Sequence, residues 1–141
     1  MKKNPVVLSS CLAAIFVISL FFGCASVKTE APAVPIDQFI GKWANLDANT
    51  RGITRVEIRG EANKAYVHMW GACTPTECDW GEIQSTPTEN GLKVKWVLAW
   101  VVEQQMLTIL PDGKLKVDGQ VHYTDNSGRK DRSYTEMFIK G

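Results

Sequence analysis

From residue 36 onward, apolar and polar side chains alternate in short runs, and turn-forming residues separate the runs at regular intervals. The separators are "GEAN" at 60–63, "ENG" at 89–91, "PDG" at 111–113 and "DNSG" at 125–128. Asn-Gly and Asp-Gly steps tolerate the positive φ angles of tight hairpins, so each marks a reversal of the chain. The pattern predicts eight strands, near residues 39–45, 53–59, 64–71, 78–84, 91–101, 104–110, 113–124 and 132–140. In "LKVKWVLAW", Leu92, Val94, Trp96, Leu98 and Trp100 share one face at a period of two. The other face begins with Lys93 and Lys95 but continues with Val97, Ala99 and Val101, which predicts a second half covered on both sides. Leu115, Val117, Val121 and Tyr123 repeat the alternation against Lys116, Asp118, Gln120 and His122. No run in this region has a helical period.

Short antiparallel strands joined by hairpins avoid exposed edges by closing into an up-and-down barrel. The expected fold is therefore all-β, an eight-stranded antiparallel up-and-down barrel over residues 36–141. "GKWAN", with Gly41, Trp43 and Asn45 at the first strand, is similar to the Gly-x-Trp opening of lipocalins, avidins and related calycin barrels. The resemblance implies that Trp43 plugs one end of the barrel and that a basic residue of the last strand, Arg132 or Lys140, packs on it. The chain is shorter than a typical lipocalin and lacks the helix that lipocalins carry late in the sequence. Its central "GACTPTECDWG" also resembles a loop of bacterial proteins without an assigned activity.

The N-terminus has a different pattern. Lys2 and Lys3 precede an uncharged, mostly apolar stretch that ends in a small residue, the layout of an export signal. The end of that stretch, "LFFGC", resembles the lipobox of bacterial lipoproteins. This resemblance implies a signal helix over 1–23, acylation at Cys24 and attachment to a membrane through the N-terminal lipid, which is stable when more than one chain is attached. Ala25 and Ser26, with no Asp after the cysteine, look like the pattern of lipoproteins sent to the outer membrane, with the domain on its periplasmic side. The other reading is an uncleaved signal anchor, because the apolar run approaches the roughly 20 residues that cross a bilayer. Residues 24–35 are small, Pro-containing and without periodicity, and read as a flexible tether.

The charge is nearly balanced. Lys and Arg number 16 against 15 Asp and Glu, and with Lys2 and Lys3 assigned to the signal the domain is close to neutral. No nucleic-acid partner is expected.

Cysteine usage follows from the compartment. With Cys11 in the signal and Cys24 lipidated, Cys73 and Cys78 are the thiols left in an oxidising space, where a disulfide is expected. A metal site is the sharper alternative, since His68, Glu77, Asp79 and Glu82 lie nearby, although a structural zinc site usually draws on a second ligand pair. A catalytic redox pair would have two intervening residues and a thioredoxin-like setting.

Enzyme motifs are absent: there is no Gly-x-Ser-x-Gly, no phosphate-cradling glycine loop and no His-Glu-x-x-His. Neither catalysis nor a metal or cofactor is expected. Asp79 with Glu82, and His122 with Asp125, read as solvated rim charges, and the Arg55, Glu57 and Arg59 face reads as solvent-facing. Trp43, Trp70, Trp80, Trp96, Trp100 and Tyr123 are the candidate ligand-binding residues, in competition with simple core packing, because small barrels fill their interiors and hold one small ligand at most. Two functional readings follow. One is a lipid-anchored envelope module holding a small apolar or aromatic ligand. The other is a protein-binding module, such as the lipoproteins that inhibit lysozyme or secreted proteases, beside which stands a purely structural envelope role.

Overall fold

The structure, a computed structural model, describes residues 32–141. The signal segment, Cys24 and the tether up to residue 31 lie outside the described residues. A short 3-10 turn, Ile36–Gln38, leads into nine strands: β1 Gly41–Asn45, β2 Ile53–Glu61, β3 Lys64–Gly71, β4 Cys78–Gln84, β5 Thr86–Pro87, β6 Leu92–Leu98, β7 Val101–Ile109, β8 Leu115–Tyr123 and β9 Arg132–Lys140. All pairs are antiparallel, in the order β4-β3-β2-β1-β9-β8-β7-β6-β5, and the sheet curls into a nearly closed barrel.

The expected all-β barrel is therefore present, with one strand more than expected. The addition is β5, in which Thr86 pairs with Lys93 and Pro87 with Leu92. Proline has no N–H to extend a ladder, and β5 ends there. One boundary also differs. The expected strand 91–101 stops at Leu98, and Ala99 and Trp100 form a two-residue turn into Val101, which pairs back with Leu98. The second half of that run is thus mostly uncovered rather than buried on both faces: Val97 is 70% exposed, and Leu98 and Trp100 are each about half exposed, while Val101 alone is buried as expected.

No ladder joins β4 to β6. Ser85, after β4, donates from both N and Oγ to the carbonyl of Ala65 on β3, which extends the β3–β4 pairing as far as β5. Above it the Trp80 and Trp96 rings meet edge to face with centroids 6.0 Å apart.

Inward positions at one end of the barrel form a filled core of Phe39, Trp43, Val56, Ile58, Val67, Leu92, Val94, Leu107, Leu115, Val117 and Phe138. Trp43 is 2% exposed, donates from Nε1 to the Phe39 carbonyl at 2.8 Å, and has Lys140 Nζ 5.2 Å from its ring centroid. The plug takes its basic partner from Lys140. Arg132 lies at the other end, over Tyr134. The N-terminal segment enters at this closed end, where the Val34 N–H donates to the Thr88 carbonyl.

Candidate functional site

The other end is open. It is ringed by the β1–β2, β3–β4, β6–β7 and β8–β9 connections, which tie to one another through the backbone: Ala72 N donates to Gly52 O at 2.8 Å, and Thr124 N to Trp100 O at 3.0 Å. Between them lies a cavity of about 420 Å³. Its walls are apolar near the rim, from Trp80, Leu98, Trp100, Val101, Val121 and Tyr123, with Arg51 and the exposed Arg132 beside them, and polar at the floor, from Glu103, Tyr134 and Glu136. A broader polar depression of about 570 Å³ crosses the outer face of β6–β9 between Gln104, Asp118, Gln120 and Ser133, but no tryptophan shapes it and it lies open to solvent. The mouth has the enclosure and mixed lining of a ligand site.

Three side chains of the mouth sit flat against glycines on neighbouring strands or loops. Gly119 is opposite Tyr134 in the β8–β9 register, and a Cβ there would overlap the phenol ring. A Cβ on Gly71 would overlap the Trp80 indole, and one on Gly52 the Glu136 carboxylate. Glycine inside a strand often marks such a close approach. The β2–β3 and β3–β4 ladders also shift register at Ile53/Arg55 and Met69/Trp70, near the rim, where bulges re-aim side chains.

The floor is a connected network. Trp96 Nε1 donates to Gln105 Oε1 at 3.0 Å. Gln105 Nε2 donates to Glu103 Oε1 at 2.9 Å and to the Tyr134 hydroxyl at 2.8 Å. The Tyr134 hydroxyl donates in turn to Glu103 Oε1. Burial, reinforced by the Glu103 charge, pushes the Tyr134 phenol well above its ordinary pKa, so it stays a donor. Glu136 accepts from Asn45 Nδ2 at 2.8 Å and from the Ile53 N–H at 3.0 Å, while burial raises its pKa above the usual carboxylate value. The neighbouring Tyr123, and the charge of Glu103, hold the Arg132 pKa above its ordinary value. Buried polar groups are tolerated when paired in this way and are costly otherwise.

Of the six aromatic residues singled out from the sequence, the structure brings Trp80, Trp100 and Tyr123 to the cavity. Trp43 is at the closed end, and Trp96 is 4% exposed beneath the floor. Trp70 is on the outer face, sandwiched between the Arg55 guanidinium at 3.5 Å and the His68 ring at 3.8 Å. The Arg55–Arg59 face is thus more than a solvated one: Arg59 lies over Tyr66 at 4.1 Å and pairs with Glu82, and Arg55 pairs with Glu77. Sequence reasoning missed Glu103, Gln105, Tyr134 and Glu136. Their signal was polar residues on the inward parity of strands whose other inward positions are apolar.

Cys73 and Cys78 form a disulfide with Cα atoms 5.5 Å apart, at one wall of the cavity. Closing so short a loop stabilises the fold by about 2 kcal/mol in the chain-entropy picture. The nearby ligating groups are engaged separately. Asp79 holds His68 and the Gly81 N–H, which lowers its pKa; Glu82 holds Arg59; Glu77 is bound by Thr54 and Arg55, with its pKa lowered by both. Among the described residues no three His, Cys, Asp or Glu side chains converge as a metal site. His122 meets Asp131, and Asp125 meets Arg129, rather than each other.

Comparison with protein-family models, with curated proteins and with solved structures finds no match for this chain.

Proposed function

We propose that the chain is a lipid-anchored envelope binding module, calycin-like in build, that holds a small apolar or aromatic molecule in the mouth of its barrel. The observation that carries the reading is the open cavity of about 420 Å³ with Trp80, Trp100 and Tyr123 in its walls, at one end of a barrel whose other end is filled. Its size is within the range of small-molecule pockets. Anchoring rests on Cys24 and its lipobox-like setting, at the outer membrane on the periplasmic side. We assign the site no catalytic step.

Native mass spectrometry of the full chain purified from its own host tests the proposal. A retained small molecule, lost in Trp100→Ala, supports it; a chain that emerges bare, with the same mass in both forms, counts against it. Fatty-acid labelling that persists in Cys24→Ala would remove the anchor from the reading.

A second reading has one observation in its favour. Val97, 70% exposed, joins Leu98 and Trp100 in an apolar tip beside the mouth, a surface suited to an envelope protein partner such as a lysozyme or protease. A co-purifying protein in the same experiment would favour it, and a purely structural role predicts neither companion.

A further inference from the structure

The floor of the cavity contains a carboxylate whose hydrogen bonding is only half used. Glu103 is 7% exposed, on β7 between the inward-facing Val101 and Gln105. Its Oε1 accepts from both Gln105 Nε2 and the Tyr134 hydroxyl. Its Oε2 accepts no hydrogen bond from the described residues. Among the described residues no enclosed side-chain oxygen or nitrogen is left without a partner, so Oε2 is not fully enclosed by protein, and the space beside Glu103 is the cavity. The neighbouring charges do not neutralise it at close range. No Lys, Arg or His nitrogen among the described residues comes within ion-pair distance of Glu103; Arg132 feels its charge only from beyond that distance. The second floor carboxyl, Glu136, already accepts from Asn45 and Ile53. The lining thus sets Asp79, Glu103 and Glu136 against Arg51 and Arg132, with one Glu103 oxygen left to face the cavity.

A carboxylate in a largely apolar enclosure favours a guest that brings a positive charge and an N–H donor, since it replaces lost water with a charge-assisted bond. The aromatic rim adds ring faces that attract cations. The rim shows that affinity already: the Arg129 guanidinium lies 4.7 Å from the Trp100 ring and 4.2 Å from that of Tyr123. An anionic guest would meet the buried Glu103 and the partly buried Glu136 at the same floor.

Building on the binding reading above, we infer that the ligand class is a small amphipathic amine, its ammonium group on Glu103 Oε2 and its apolar or aromatic body between Trp80, Trp100 and Val121. Glu103 selects charge, and the rim selects shape.

Three probes with one phenyl body and different heads test this by calorimetry on the full chain: 2-phenylethylamine, 2-phenylethanol and 3-phenylpropionate. The amine is expected to bind about tenfold tighter than the alcohol, the scale of a hydrogen bond to a charged group, with the acid weakest. In Glu103→Gln the side-chain oxygen can still accept from Gln105 and Tyr134, so the fold is kept while the charge is lost. That variant should bring the amine down to the alcohol's affinity and leave the alcohol unchanged. Equal affinities, or a preference for the acid, measured on the unmutated chain, overturn the amine assignment and leave the cavity reading standing. Heat from none of the three also overturns it, and the cavity reading then depends on the native mass measurement alone.

Discussion

The two ends of the barrel use the same strands and finish them differently. On β7 the inward side chains run Val101, Glu103, Gln105, Leu107, and on β9 they include Tyr134, Glu136 and Phe138, so polar gives way to apolar within a single strand. At the closed end Trp43, Leu107, Leu115 and Phe138 leave no room. At the open end the polar side chains bond to one another and to the backbone, glycines hold the large rings against the wall, and space remains. A barrel of this size fills its interior by default. Glu and Gln at core positions add less stability than packed apolar groups would, so the open end is built at some expense to the fold, and stability alone does not explain it.

Substitutions at the two ends should therefore separate stability from uptake. Trp43→Ala removes the plug and leaves a large void, and should cost about 3 to 5 kcal/mol in chemical denaturation. A midpoint close to that of the unmutated chain would erase the distinction between a filled end and an open one. Gly119→Ala drives a methyl group into the Tyr134 ring and should cost up to about 3 kcal/mol. Unlike the plug variant, it should also abolish ligand retention in native mass spectrometry under conditions where the chain stays folded, because the displaced phenol enters the cavity and leaves Glu103. Retention equal to that of the unmutated chain would show that the wall does not depend on this glycine. Trp100→Ala should change stability by no more than about 0.5 kcal/mol, as for most exposed positions, while weakening retention. A loss of Tm comparable to that of Trp43→Ala would place Trp100 in the core and remove the contrast between the two ends.

Much of the fold was legible because its turns are chemical. Asn63, Gly91, Gly113 and Gly128 all take positive φ at or beside the reversals read from "GEAN", "ENG", "PDG" and "DNSG". The Ala99–Trp100 turn was not legible, since neither residue favours a reversal and the apolar run continues through it. The aromatic residues were visible as a set, but parity decides their side of the wall, and register shifts near Ile53 and Met69 disturb parity close to the rim. Trp70 follows the inward-facing Met69 and so points outward, where Arg55 and His68 cover it. The floor was hidden for another reason. Glu103 and Tyr134 are 31 residues apart, and nothing local announces that they will share a hydrogen bond.

The unlatched seam bears on how the cavity can accommodate its contents. Everywhere from β4 round to β6 the wall is a continuous ladder of backbone hydrogen bonds, whereas β4 and β6 themselves meet mainly through Trp80 against Trp96. Parting a ladder breaks several bonds at once; parting an edge-to-face ring pair gives up about 0.5 to 1.5 kcal/mol beyond its buried area. Trp80 belongs to both the seam and the cavity wall. The pocket is thus stiff on its β7–β9 side, where the charge-selecting floor must keep its geometry, and compliant on its tryptophan side, where a guest of slightly different girth can be taken in by widening the barrel along one line.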